Sequence, residues 1–149
     1  MKILIYIQSS EGKINPISLE SLVASQKLKE AKNAEIYAIT FSNQIASQLT
    51  NYDVDGVICI ENNNLEDYGP LYYIETFNQL KSMHSPDFFI FGHTYETRDW
   101  VPRLSARIDS PFLSDCIGMK FDDGISFTRS LYQNKINVDM SSSSPTTIV

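Results

Sequence analysis

Apolar residues fall along the chain in short unbroken runs, and most of these runs are separated by stretches in which apolar positions recur every three or four residues. Ile3 to Ile7 is a continuous β-branched and aromatic run, the pattern of a strand covered on both faces at the centre of a parallel sheet. A polar turn, Gln8 to Lys13, follows. Asn15-Pro16-Ile17-Ser18 then reads as a helix entry with Ser18 as its N-cap, and Leu19, Leu22, Val23, Leu28 and Ala31 carry helical spacing to an end near Asn33. Glu35 to Phe41 predicts a second strand, Gln44 to Asn51 a short helix, and Gly56 to Ile60 a third strand. Pro70 opens a further helix whose stripe of Leu71, Ile74, Phe77, Leu80 and Met83 is stopped by Ser85-Pro86. Phe88 to Phe91 is a fourth buried strand, Gly92 to Thr97 a loop, and Arg98 to Ile108 a helix with Pro102 near its start.

Beyond Pro111 the helices stop. Leu113 to Phe121, Ser126 to Gln133 and Ile136 to Met140 predict strands joined by turns, so antiparallel members are expected at the carboxy-terminal end. Ser141 to Pro145 is a short low-complexity linker, and Thr146-Thr147-Ile148-Val149 starts a β-like run that simply stops, as the beginning of a further unit would. The alternation of strand and helix places the chain in the α/β class, as one domain on a mainly parallel sheet.

At 149 residues the chain is long enough for a real core, and 42% hydrophobic with 20% charged residues is ordinary for a globular protein. The charge narrows the partners. With 12 basic against 18 acidic residues, net −6, the surface repels phosphate backbones and anionic lipid, so neither nucleic acid nor membrane is expected. The first apolar run is too short for a signal segment or a span, which points to a soluble, cytoplasmic protein. Cys59 and Cys116 show no metal-ligand spacing and read as buried, reduced thiols.

Ligands of open parallel sheets bind at the carboxyl ends of strands, here the loops Gln8–Lys13, Ser42-Asn43, Glu61–Asn64 and Gly92–Arg98. None carries a glycine-rich phosphate loop. His93, near Glu96 and Asp99, has the residue types of an acid–base pair, but no nucleophile accompanies it. His84 suits a helix C-terminus. Asp115 beside Cys116 works against a thiolate there. No catalytic or metal site is therefore assigned. Arg98, Asp99, Arg103 and Arg107 are the denser signal: positions 99, 103 and 107 share one helix face, and an arginine face of this kind suits either solvent or an acidic partner.

Four stretches together resemble the amino-terminal domain of electron transfer flavoprotein alpha subunits. They are Lys13-Ile14-Asn15-Pro16-Ile17-Ser18-Leu19-Glu20, the run from Gly92-His93-Thr94 through Arg98-Asp99-Trp100-Val101-Pro102-Arg103-Leu104-Ser105-Ala106-Arg107, Leu113-Ser114-Asp115-Cys116, and Arg129-Ser130-Leu131-Tyr132. The second is the most specific, close to the family's T-x-x-G-R-D-x-x-P-R-x-A-A-R. Two positions depart from it: Thr97 stands where the family usually has Gly, and Gln133-Asn134-Lys135 replaces a small-Gly-Asn turn.

The resemblance implies a three-layer, Rossmann-like fold of the adenine-nucleotide-alpha-hydrolase kind, with residues 1–140 the amino-terminal domain and 141–149 a linker and the start of an FAD-binding domain. It further implies a heterodimer with a beta subunit that carries one FAD and shuttles electrons from acyl-CoA or other dehydrogenases to a quinone-linked or other acceptor. The flavin is expected mainly in the domain beyond this chain, none tightly bound here, and no cofactor residue is named. Apolar surface left uncovered is expected to favour a homodimer of this piece. Two other readings stand beside it: a stand-alone adenine-nucleotide-binding module of the universal-stress type, and a hydrolase or lyase built on His93 with Asp99 or Glu96.

Overall fold

The computed structural model describes residues 1–149. Its elements in chain order are β1 (Lys2–Tyr6), β2 (Ser9–Ser10), β3 (Lys13–Ile14), α1 (Pro16–Lys32), β4 (Glu35–Thr40), α2 (Asn43–Leu49), β5 (Gly56–Cys59), α3 (Pro70–His84), β6 (Phe88–Ile90), α4 (Tyr95–Arg107), β7 (Cys116–Lys120), β8 (Ser126–Leu131), β9 (Ile136–Met140) and β10 (Thr147–Ile148), with a single 3₁₀ turn at Asn63–Leu65. No helix is long and apolar enough to cross a membrane.

Five parallel strands form the central sheet in the order β10-β6-β1-β4-β5. The chain builds outward from β1 to β4 and β5, then crosses back to β6, so the topological switch point lies between β1 and β6. Alternation along β1 divides the core. Leu4 and Tyr6 face α3 and α4, meeting Phe77, Leu80, Trp100 and Leu104. Ile3, Ile5 and Ile7 face α1 and α2, meeting Leu22, Leu28, Ile45 and Leu49. Three layers result, as the strand–helix alternation predicts.

β7, β8 and β9 make a separate antiparallel sheet instead of joining the edge of the parallel one. It rests on the α1/α2 side through Met119, Phe121 and Ile125, and through Phe127 against Phe88, with ring centroids 5.6 Å apart. Thr147–Ile148, read from sequence as part of a linker and a further domain, pairs in parallel with β6 and is buried as the outer strand of the central sheet. Ile148 has a core to enter here, beside Phe112 and Phe89.

Two helix starts differ from the sequence reading. Asn15, whose side-chain oxygen accepts from Ile17 N–H, caps α1; Ser18 lies inside it, and its hydroxyl accepts from the Gln8 N–H. α4 begins three residues early. Thr94 is its N-cap, and Thr94 and Thr97 close a reciprocal capping box, each hydroxyl accepting from the other's backbone N–H. Pro102 consequently lies in the body of the helix, where its ring cannot donate to the carbonyl of Arg98.

Candidate functional site at the carboxyl edge of the sheet

The switch point between β1 and β6 is where a doubly wound sheet opens to a ligand, and in this chain the first turn of α1 packs closely against its β6 side. Gly92, directly after β6, lies so near the first turn of α1 that a Cβ added to it would stand 3.0 Å from Ile17 Cγ2, 3.2 Å from the Ile17 carbonyl carbon and 3.3 Å from its oxygen. The glycine's missing side chain is filled by protein backbone, not left as a cradle for phosphate. The α4 N-terminus beside it is likewise engaged, by the capping box and by the Thr97 hydroxyl, which donates to Gly92 O at 2.5 Å.

Thr97 therefore works where the resembling family usually has Gly. It sits in the first turn of α4, buried, with its hydroxyl tying the loop to the helix. The other departure leaves a trace: Tyr132, Gln133 and Asn134 all adopt left-handed backbone, with φ of 50°, 57° and 64°. That is a conformation glycine enters freely and Gln does not.

An open groove of about 700 Å³ lies between α1, the start of α4 and the small sheet, with Gly92 and Thr97 in its lining. Ile17, Phe112, Met119 and Val149 supply apolar wall, and Lys27, Arg98 and Asp115 carry charge at its rim beside His93. His93 Nε2 is 3.8 Å from Asp115 Oδ1, both well exposed. Cys116 also lines the groove, but burial, aided by Asp115 and opposed by Arg129, pushes its thiol up to about 11, far from a nucleophile at neutral pH.

The four residues singled out on α4 are all exposed, but the helix divides them. Arg98 points to the groove, its guanidinium 5.7 Å from the Tyr95 ring centroid. Asp99, Arg103 and Arg107 lie toward α3. Asp99 accepts from Arg103 Nη2 at 3.0 Å and from the Tyr68 hydroxyl at 2.5 Å, and Arg107 is 3.8 Å from Glu75. Within this set Arg98 alone has no carboxylate partner.

Sequence reading missed the group at the end of β1. Tyr6 donates to Glu96 Oε1 at 3.1 Å, inside a ring cluster of Phe41, Tyr73, Phe77, Phe91 and Trp100. Burial raises the Glu96 carboxyl above the usual range, and the Tyr6 phenol is raised further above its own, first by burial and then by the Glu96 charge. Glu96 faces the α3/α4 layer while His93 faces the groove, so the pairing of the two that a hydrolase would need is not made.

A family model described as electron transfer flavoprotein domain matches residues 3–149. The chain is 26% identical over 138 residues to an electron transfer flavoprotein subunit alpha of Bacillus subtilis, covering 90% of this chain and 42% of that protein. It is 21% identical over 151 residues to the Methylophilus methylotrophus protein of the same name, covering 99% and 47%. It is 24% identical over 123 residues to an acryloyl-CoA reductase electron transfer subunit beta of Anaerotignum propionicum, covering 80% and 34%. The chain thus spans less than half the length of these relatives.

Proposed function

The chain belongs to the electron transfer flavoprotein family, and on that footing we propose that it acts as the amino-terminal scaffold domain of an alpha subunit, docking a beta subunit and supporting a flavin held elsewhere. The match of the family model over residues 3–149 carries this reading. At the carboxyl edge Gly92 packs against Ile17 and the α4 N-terminus is engaged by Thr94 and Thr97, which supports a domain that contributes a surface.

The isoalloxazine of a carrier holds the electrons, and the protein around it supplies position and electrostatics. Such a domain requires no nucleophile or acid of its own. The raised Cys116 thiol and the separation of His93 from Glu96 agree with that division of labour. Arg98, exposed at the groove without a carboxylate of its own, is the member of the α4 set best placed to meet an acidic partner. Dehydrogenase donors and a quinone-linked or other acceptor belong to the assembled heterodimer.

The test is calorimetric titration of the chain with FAD and with AMP, alone and after adding a family beta subunit. No heat from either nucleotide alone, with complex formation once the beta subunit is present, is the expected result. Micromolar binding of AMP by the isolated chain would overturn it in favour of a nucleotide-binding module.

A further inference from the structure

β9 is the last strand of the small sheet. It pairs with β8 on one side and with nothing on the other, and Ile136, Asn137, Val138 and Asp139 are all exposed. An unpaired edge of this length presents a row of backbone donors and acceptors that another strand can extend. We propose that it pairs antiparallel with β9 of a second copy of this chain, about a two-fold axis through Asn137, joining two three-stranded sheets into one of six strands.

The sequence of the strand selects both the partner and the register. Centring on Asn137 sets Ile136 against Val138 of the other copy and Lys135 against Asp139 of the other copy, each twice by symmetry. The faces agree. Asn137 and Asp139 alternate with Ile136 and Val138 along the strand, and Lys135, the turn residue that leads into it, comes opposite Asp139 of the other copy, so charge meets charge at each end of the seam and apolar meets apolar between. Ile136 is 51% exposed and Val138 37% exposed, and the seam covers both.

Neighbouring registers are worse. Centring on Val138 sets Asn137 against Asp139 and leaves Lys135 opposite Ser141, while centring on Ile136 sets Lys135 against Asn137. Centring between residues mixes the two faces, opposing Ile136 to Asn137 or to Asp139. Of these axes, the one through Asn137 sets Lys135, in the turn before β9, against Asp139 of the other copy.

A lysine on an edge strand ordinarily deters pairing. Here Lys135 has no ion-pair partner in its own chain, and Asp139 holds Lys120 at 2.6 Å and the Thr128 hydroxyl at 2.6 Å on the β8 side. Asp139 is therefore fixed in place beside the open edge. A β5 edge pairing of the same kind is disfavoured, because an axis through Ile58 would oppose Asp55 to Glu61 of the other copy. The seam of a single strand pair is small, so the association is weak and reversible.

Sedimentation velocity of the chain at ionic strength near 0.15 M, from about 1 μM to about 1 mM, covers the range in which so small a seam associates. The parent chain is expected to shift from monomer toward dimer across it. Lys135→Glu sets two carboxylates opposite one another at both ends of the seam, and Asp139→Lys sets two ammonium groups there, so each variant alone should dissociate about tenfold more readily than the parent. In a mixture of the two variants, one end of the seam opposes the introduced glutamate to the introduced lysine, and the other opposes the native Asp139 of one chain to the native Lys135 of its partner. Opposite charges then meet at both ends, and the dimer should return. Circular dichroism of each variant establishes that it is folded. A parent that stays monomeric throughout, or folded variants that dimerise as the parent does, or a mixture no tighter than its components, would overturn the proposal.

Discussion

The phenol of Tyr6, at the end of β1, donates to the carboxylate of Glu96, in the first turn of α4, across ninety positions of sequence. The contact ties the central strand to the helix that carries the arginine face, and it does so at the edge of the aromatic core. Burial raises the Glu96 carboxyl while the Tyr6 bond pulls it back, and the net direction is upward. A raised carboxyl favours folding when protonated, so its contribution is full below the ordinary carboxylate value and is lost as pH climbs through the folded one. Glu96→Gln keeps an oxygen for Tyr6 and removes the charge. It should stabilise the protein at pH 7 by less than about 1 kcal/mol, because the favourable dipole interaction of an acid in a first turn is lost with it. Denaturant unfolding of parent and variant at pH 7 and near pH 4 checks this: the difference should shrink at the lower pH.

The turn between β8 and β9 holds three consecutive non-glycine residues in left-handed backbone. Asn134 tolerates that region through its short polar side chain, while Gln133 does not. Gln133→Gly is expected to raise stability by about 0.5–1 kcal/mol, the relief of strain exceeding the added flexibility of the unfolded chain. A chemical-denaturation midpoint at unchanged slope measures it. Tyr132→Gly is a poorer test, because the tyrosine ring is removed as well.

The Cys116 thiol, pushed up to about 11 mainly by burial, is almost wholly protonated at pH 8. Alkylation by iodoacetamide should therefore run at least about tenfold slower than for an ordinary exposed thiol, after allowing for the greater nucleophilicity of a more basic thiolate. The rate should keep rising with pH up to the point at which the fold gives way. A plateau near pH 8.5 would mean that Arg129, which favours the thiolate, outweighs burial.

What could be read from the chain follows the range of the interactions. Ile3–Ile7, Glu35–Phe41, Gly56–Ile60 and Phe88–Phe91 announce strands because each run is locally apolar, and the i, i+4 spacing of Asp99 and Arg103 announces their ion pair. The α4 start was hidden because its capping box uses Thr97 where the common pattern has Glu or Gln. Thr147–Ile148 could not be placed from sequence, since its role depends on Phe88 and Phe89, some sixty residues away. Nor does any local pattern say that β7 to β9 leave the parallel sheet, or that Ile17 fills the space above Gly92. Those are facts of packing between distant elements.

Gly92 offers the sharpest test of the packing between β6 and α1. Gly92→Ala adds one methyl group where Ile17 Cγ2, carbonyl carbon and oxygen stand within 3.3 Å. The side-chain carbon could rotate away, but the backbone atoms belong to the first turn of α1, which is held by Pro16, by the Asn15 cap and by the Ser18 to Gln8 bond. Relief requires that turn to move outward or β6 to shift, so a cost of about 1–3 kcal/mol is expected, as for other overpacked sites. If α1 moves, Ser18 loses its contact to Gln8. Thermal unfolding should register the loss, and amide hydrogen exchange should place it in the first turn of α1 and at Gln8 while the small sheet stays as protected as in the parent. An alanine accepted without loss would mean that the first turn of α1 yields easily.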